Sequence, residues 1–163
     1  MIKIGLDTSC LNVKGKHDIL NQLETLEKEG KITLITSTVN EKEQINTNTS
    51  DYWKNKYLNK INQNEKISEV GRYGLSCYGQ ALYADDKKCS QLEKIFSDKK
   101  DFYDLWILQT AYIGECDFFL TLNSRDFIDN GKKETIEKIG IKIRIPDDNF
   151  LKEIKENLKT SFT

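Results

Sequence analysis

Short runs of apolar residues alternate along the chain with stretches in which apolar positions recur at helical spacing. The first kind reads as buried strands and the second as amphipathic helices, so the alternation predicts a mostly parallel sheet covered on both faces. Residues 2–6 form an apolar strand that ends at Asp7. Ile19, Leu20, Leu23 and Leu26 give a helix from Asp18 to Glu29, with Gly30 as its C-cap. The β-branched stretch 32–36 is strand-like, and Ser37 or Thr38 can cap a following helix that carries Glu41 and Glu43. Residues 46–90, rich in Asn, Lys, Tyr and Ser, offer only weakly amphipathic helices. Ser90 or Asp101 then opens helical stretches. The second runs from Phe102 to Ile113, with Leu105, Leu108 and Tyr112 on one face and Gly114 closing it. Residues 118–121 make a buried parallel strand. Residues 141–145 alternate apolar and basic, as an edge strand does, and Pro146-Asp147-Asp148 starts a final charged helix.

A length of 163 residues fits one domain, and 37% hydrophobic residues are enough for a core without metal or disulfide staples. With 25 Lys and Arg against 26 Asp and Glu, the net charge of -1 provides no global field for nucleic acid, so any such contact must be local. No apolar run approaches the ~18 residues of a membrane span, and the stretch before Asp7 is too short for a signal peptide, so the expectation is a cytoplasmic protein. Cys10, Cys77, Cys89 and Cys116 form no C-x-x-C pair, which argues against a structural zinc site and for reduced thiols. His17 is the single histidine. It rules out a two-histidine acid/base nuclease and, lying in a charged stretch without a nucleophile elbow, reads as a surface residue.

The acids are more informative. In parallel α/β folds the carboxyl ends of the strands face a common crevice. Asp7 follows the first strand directly, Glu41 lies just beyond the second, and Asn123 and Asp126 follow the strand at 118–121. Asp104 sits in the first turn of the helix leading into that strand, and Leu108 and Ala111 share its face, so it points toward the packed side. Each acid alone has an ordinary explanation as a cap, turn or solvated charge. Together they would repel one another unless a hard divalent cation, Mg2+ or Mn2+, offset their charge. Such an ion lowers the pKa of a bound water and neutralises charge on a phosphoryl group.

Ile2 to Ser9, Ser37-Thr38-Val39-Asn40-Glu41, Asp104 to Ala111, and Cys116 to Phe127 with its Thr-x-Asn-x-x-Asp-Phe string resemble, in order and spacing, the motifs of PIN domains, in particular the VapC-like branch. Ile145 to Leu151 also resembles that family's last strand and the turn into its final helix, so the resemblance spans nearly the whole chain, faintest between about 46 and 90. It implies a single PIN-like domain over residues 1–163, a three-layer α/β/α sandwich that cuts RNA with Mg2+ or Mn2+, leaving a 5'-phosphate and a 3'-hydroxyl. By the same resemblance Asp7, Glu41 and Asp104 would be the acidic core, Asp7 and Asp104 holding the metal, with Asn123 in the fourth position. Ser9 and Thr121 would be supporting hydroxyls near the substrate. Two departures matter. Many relatives carry Asp where Asn123 stands, which leaves Asp126 as an alternative, and the polar setting of Asn40-Glu41-Lys42-Glu43 leaves Glu43 as a rival to Glu41.

A local cationic source for substrate lies in residues 52–84, where Lys54, Lys56, Lys60, Lys66 and Arg72 outnumber Glu65 and Glu69 and are interleaved with Tyr52, Trp53, Tyr57, Tyr73, Tyr78 and Tyr83. This composition suits stacking on single-stranded RNA, and equally a helical subcore or a homodimer contact. Arg125, beside the acids, could touch a phosphate. A toxin role would imply an antitoxin protein that plugs the crevice. The rival readings are an inactive PIN scaffold binding RNA or protein, and an aspartyl-phosphate phosphatase, which normally wants a second Asp where Ser9 stands.

Overall fold

Five parallel strands lie in the order β3-β2-β1-β4-β5. In chain order the elements are β1 (Ile2–Leu6), α1 (Thr8–Val13), α2 (Asp18–Lys28), β2 (Ile32–Ser37), α3 (Thr38–Asn46), α4 (Asp51–Ile61), β3 (Glu65–Ile67), α5 (Asp86–Ile95), α6 (Phe102–Ile113), β4 (Phe118–Leu120), α7 (Ser124–Phe127), α8 (Lys132–Ile139), β5 (Lys142–Arg144) and α9 (Asp148–Thr160). This computed structural model describes residues 1–46, 50–61, 64–69, 86–96 and 101–160, without the side chains at 53, 57, 60, 86 and 130.

The central strands β2, β1 and β4 are largely buried on both faces, and their residues divide by the alternation of the pleat. Ile4, Leu6, Leu34, Phe118 and Leu120 pack against α1, α2 and α9, with Leu58 and Ile61 of α4 joining them. Ile35, Phe119 and Ile143 face the other way, against α3, α5, α6 and α8. The expected sandwich, with a parallel sheet at its centre, is therefore the observed fold.

The predicted strands and their flanking helices agree closely with those observed. The helix Phe102–Ile113 has the expected bounds, but its burial differs from the single apolar face read from Leu105, Leu108 and Tyr112. Every residue from Leu105 to Ala111 is buried, because α3 and α5 pack on α6 beside the sheet. β5 is an edge strand as expected. Arg144 leaves it to pair with Glu153 at 2.7 Å and Glu137 at 2.6 Å.

The close seating of α6 depends on a residue without a side chain. A β-carbon built on Gly5 would lie 3.0 Å from that of Ala111 and 3.4 Å from Cys116 Sγ. Glycine thus lets the helix lie directly on β1. Among the described residues no helix is long and apolar enough to cross a membrane.

Candidate functional site

All strands being parallel, the segments that follow β1, β2 and β4 emerge at one edge of the sheet, in register at Leu6–Leu120 and Gly5–Ile35. The helix preceding β4 runs back along the sheet, so its N-terminus reaches the same edge. Asp104 lies two helical turns before Ala111 on the same stripe of α6, and Asp7 lies two residues beyond Gly5. The Ala111–Gly5 contact therefore sets Asp104 against Asp7.

Asp7 is only 2% exposed. Its Oδ2 accepts hydrogen bonds from Ser9 Oγ and, at 2.8 Å, from Thr121 Oγ1, and its Oδ1 accepts the Thr8 backbone N–H at 2.8 Å. Burial raises the Asp7 carboxyl above the usual carboxylate range, and these hydrogen bonds hold it back only in part. Ser9 and Thr121, expected as supporting hydroxyls near the substrate, both donate to this carboxylate. Their oxygens also accept backbone N–H groups, Ser9 from Leu122 at 3.0 Å and Thr121 from Asn123 at 2.9 Å. They tie the end of β4 to the end of β1.

The second acid is placed by a buried asparagine. Asn40 receives the Ser37 N–H at 2.8 Å and donates to Thr8 Oγ1 at 2.9 Å, which fixes the start of α3 against the end of β1. Glu43 follows Asn40 by one turn on the same face, and it accepts the Thr8 hydroxyl at 2.5 Å. Burial raises the Glu43 carboxyl and the neighbouring Asp7 adds to the rise. Glu41, placed at the crevice by the sequence, is turned away from it. Its side chain lies about 200° around the helix from that of Glu43 and pairs with Lys66 of β3 at 2.5 Å. Lys42 and Thr38 bind Glu69 on that side as well, so the outer face of α3 is clamped to the sheet edge.

Asp104 is where the field of these groups converges. Burial first, then Asp7, Glu43, Asp126 and Asp101 in turn, push its carboxyl up to about 8. Asp126, 7% exposed, has its charge held by Arg125, whose Nε and Nη2 lie 3.2 and 3.3 Å from its oxygens, and by Asn123 Nδ2 at 2.7 Å. Arg125 hydrogen bonding, helped by Asn123, keeps Asp126 below the usual carboxylate range despite its burial. Asn123 thus supports Asp126 directly, and through it the neighbourhood of Asp104.

Carboxylate oxygens of Asp101, Asp104 and Asp126 all lie within 4.8 Å of one another. Asp101 has no part in the expected set, since an aspartate just ahead of a helix reads as a cap. Its spacing of three from Asp104, which puts both on one helical face, is the signal that could have singled it out. Oxygen-only donors crowded in this way suit a hard divalent cation, and the acids at this edge fit one.

Of the basic and aromatic stretch at 52–84, Tyr52 is 69% exposed, Lys54 Nζ donates to the Ile45 carbonyl at 2.8 Å, and Lys66 is held by Glu41. Arg72, Tyr73, Tyr78 and Tyr83, and the side chains of Trp53, Tyr57 and Lys60, lie outside the described residues.

No family model matches the sequence, nor does any curated protein. Solved structures do match the fold. A chain of the DNA-bound VapBC from Salmonella typhimurium superposes with a TM-score of 0.52 at 16% identity, over 90% of this chain and 100% of that one. A chain of VapBC2 from Rickettsia felis, bound to a DNA fragment from its promoter, does so with a TM-score of 0.51 at 17% identity and the same coverage. At this identity the likeness is one of fold, and it agrees with the fold expected from the PIN resemblance.

Proposed function

We propose that this chain is a PIN-type endoribonuclease dependent on Mg2+ or Mn2+, and the toxin half of a toxin–antitoxin pair. The observation that carries the reading is the convergence of Asp7, Glu43 and Asp104, from three separate segments, on one buried edge of the sheet. The VapBC assemblies of the structural neighbours support an antitoxin partner.

In this reading Asp7 and Asp104 hold the cation, Glu43 flanks it, and Asn123 keeps Asp126 in place. The bound cation would supply an activated water and offset the charge gathering on the scissile phosphate. Ser9, Thr121 and the Thr8 amide orient Asp7 and offset part of the cost of burying its charge. Asn40 holds Glu43 in register with Asp7 by fixing the start of α3. Arg125, 78% exposed at its side chain, stands where a phosphate of the RNA backbone could replace Asp126 as its partner.

The test is cleavage of an end-labelled single-stranded RNA, with Mn2+ or with a chelator, by the wild-type chain and by Asp104→Asn. Cleavage that requires the metal, leaves 5'-phosphate ends and disappears in the variant supports the reading. Folded wild-type protein that cuts no RNA, yet retains RNA or a partner protein, would replace it with the inactive scaffold.

A further inference from the structure

β5 ends the sheet, and its outer side meets no strand among the described residues. An edge strand turns the N–H and C=O of every second residue outward, a template on which another chain can add a strand. In β5 the Arg144 carbonyl points inward, accepting the Thr121 N–H at 3.1 Å, so the outward residue is Ile143. Both of its backbone groups are taken by side chains. Its N–H donates to Glu137 Oε1 at 3.2 Å, and its carbonyl accepts from Arg144 Nη1 at 2.8 Å. The same Nη1 donates to Glu137 Oε1 at 2.6 Å, which closes the cover on itself. The rest of the guanidinium is held from the opposite layer of helices, Nε and Nη2 donating to the two carboxylate oxygens of Glu153 at 2.7 and 3.1 Å. Glu137 stands in the last turn of α8 and Glu153 in α9, so Arg144 straps one helical layer to the other across the outer rim of the sheet.

We propose that Glu137, Arg144 and Glu153 guard this edge against a second copy of the chain. A second copy is the occupant to be kept out because the outward groups of β5 complement themselves. Antiparallel pairing about a two-fold axis at Ile143 would exchange both backbone bonds between the two Ile143 residues and join two five-stranded sheets into one. Ile145, 37% exposed just beyond the strand, offers apolar surface beside that seam. The side chains oppose the same pairing. It sets Lys142 directly opposite the second copy's Arg144 on one face, and like charges so placed repel. Both cations are fixed on that face, over the Phe118 ring at 5.2 and 5.8 Å. The guard uses none of the acids gathered around Asp7, so it stands or falls apart from the nuclease reading.

The experiment is sedimentation velocity over a concentration series, on the wild-type chain and on a variant carrying both Glu137→Ala and Arg144→Thr. Circular dichroism shows that each folds, and hydrogen exchange at the Ile143 amide is followed by NMR. The variant is expected to reach twice the wild-type mass as concentration rises, its Ile143 amide exchanging fast when dilute and slowly once assembled. A folded variant that keeps the wild-type mass at every concentration would overturn the proposal. So would an assembly in which the Ile143 amide still exchanges fast, since the contact would then lie elsewhere. Should the double variant not fold, Arg144→Thr is examined alone, because it uncovers the Ile143 carbonyl and removes the cation opposite Lys142. The same results decide.

Discussion

Ala111 of α6 sits on Gly5 of β1 with no room between them for a methyl group, and this contact sets the height of the helix that brings Asp104 to Asp7. A valine at position 5 would press α6 off the sheet. Gly5→Val is expected to cost about 1–3 kcal/mol as overpacking, and to weaken Mn2+ binding by more than that stability loss explains, because Asp104 would be displaced. Thermal melting and metal titration of the variant check both. Unchanged binding in a destabilised protein would mean that Asp104 is placed by other contacts.

Glu43 and Glu41 are separated by half a turn of α3, and their partners differ: Thr8 at the crevice for one, Lys66 at the sheet edge for the other. Glu43→Gln should lower RNA cleavage by about 10-fold or more. Glu41→Gln removes only a partly exposed ion pair and should change stability by no more than about 1 kcal/mol, with cleavage unaltered. The reverse order of effects in a single-turnover assay would return Glu41 to the site.

Thr121→Val removes one of the hydroxyls that hold Asp7, whose carboxylate is then buried with fewer donors. A loss of about 1–3 kcal/mol in stability is expected. Because Ser9 and the Thr8 amide remain, cleavage should fall without vanishing, and its pH profile should move to higher pH as Asp7 becomes harder to ionise. A profile that keeps its position would show that Thr121 acts only on folding.

Without metal, Asp104 makes the fold sensitive to alkali. Its carboxyl stands at about 8 in the folded chain against 3.8 when unfolded, chiefly through burial and then through Asp7 and Glu43. Between those values the folded state holds the extra proton, so stability is greatest below the lower one and is lost as the pH rises through the higher. Asp104→Asn has no charge to bury. In chelator it should exceed wild type by at least about 1 kcal/mol at alkaline pH, or roughly 2–4 °C in Tm, and the gap should close in acid. Equal melting of the two proteins at every pH would show that Asp104 is not forced to hold its proton.

Much of this arrangement can be read from residue pattern alone, for reasons visible in particular residues. Asp7 ends a solid apolar strand and Asn123 follows another, and the geometry of a parallel sheet sends both to one edge. Asp104 is legible because Leu108 and Ala111 share its stripe. Glu43 is not separable from Glu41 by pattern, since what selects it is Asn40, a polar residue buried by its bonds to Ser37 and Thr8 rather than by hydrophobicity. Thr121 looks like a substrate group in sequence because its partner, Asp7, is remote along the chain. Asp101 reads in sequence as a helix cap, and only its spacing of three from Asp104 hints that the two share a face. The short edge strand Glu65–Ile67 has no apolar run to announce it, being held instead by pairing to β2 and by the Lys66–Glu41 ion pair.

Equilibrium Mn2+ binding to the wild-type chain and to Asp104→Asn tests most directly whether the gathered acids exist to hold a cation. Asp104 stands in the field of all the other acids at this edge, so the variant should lose measurable Mn2+ binding while keeping its fold and, in chelator, gaining stability. A folded Asp104→Asn protein that binds Mn2+ as tightly as wild type, with the same number of ions, would contradict the account.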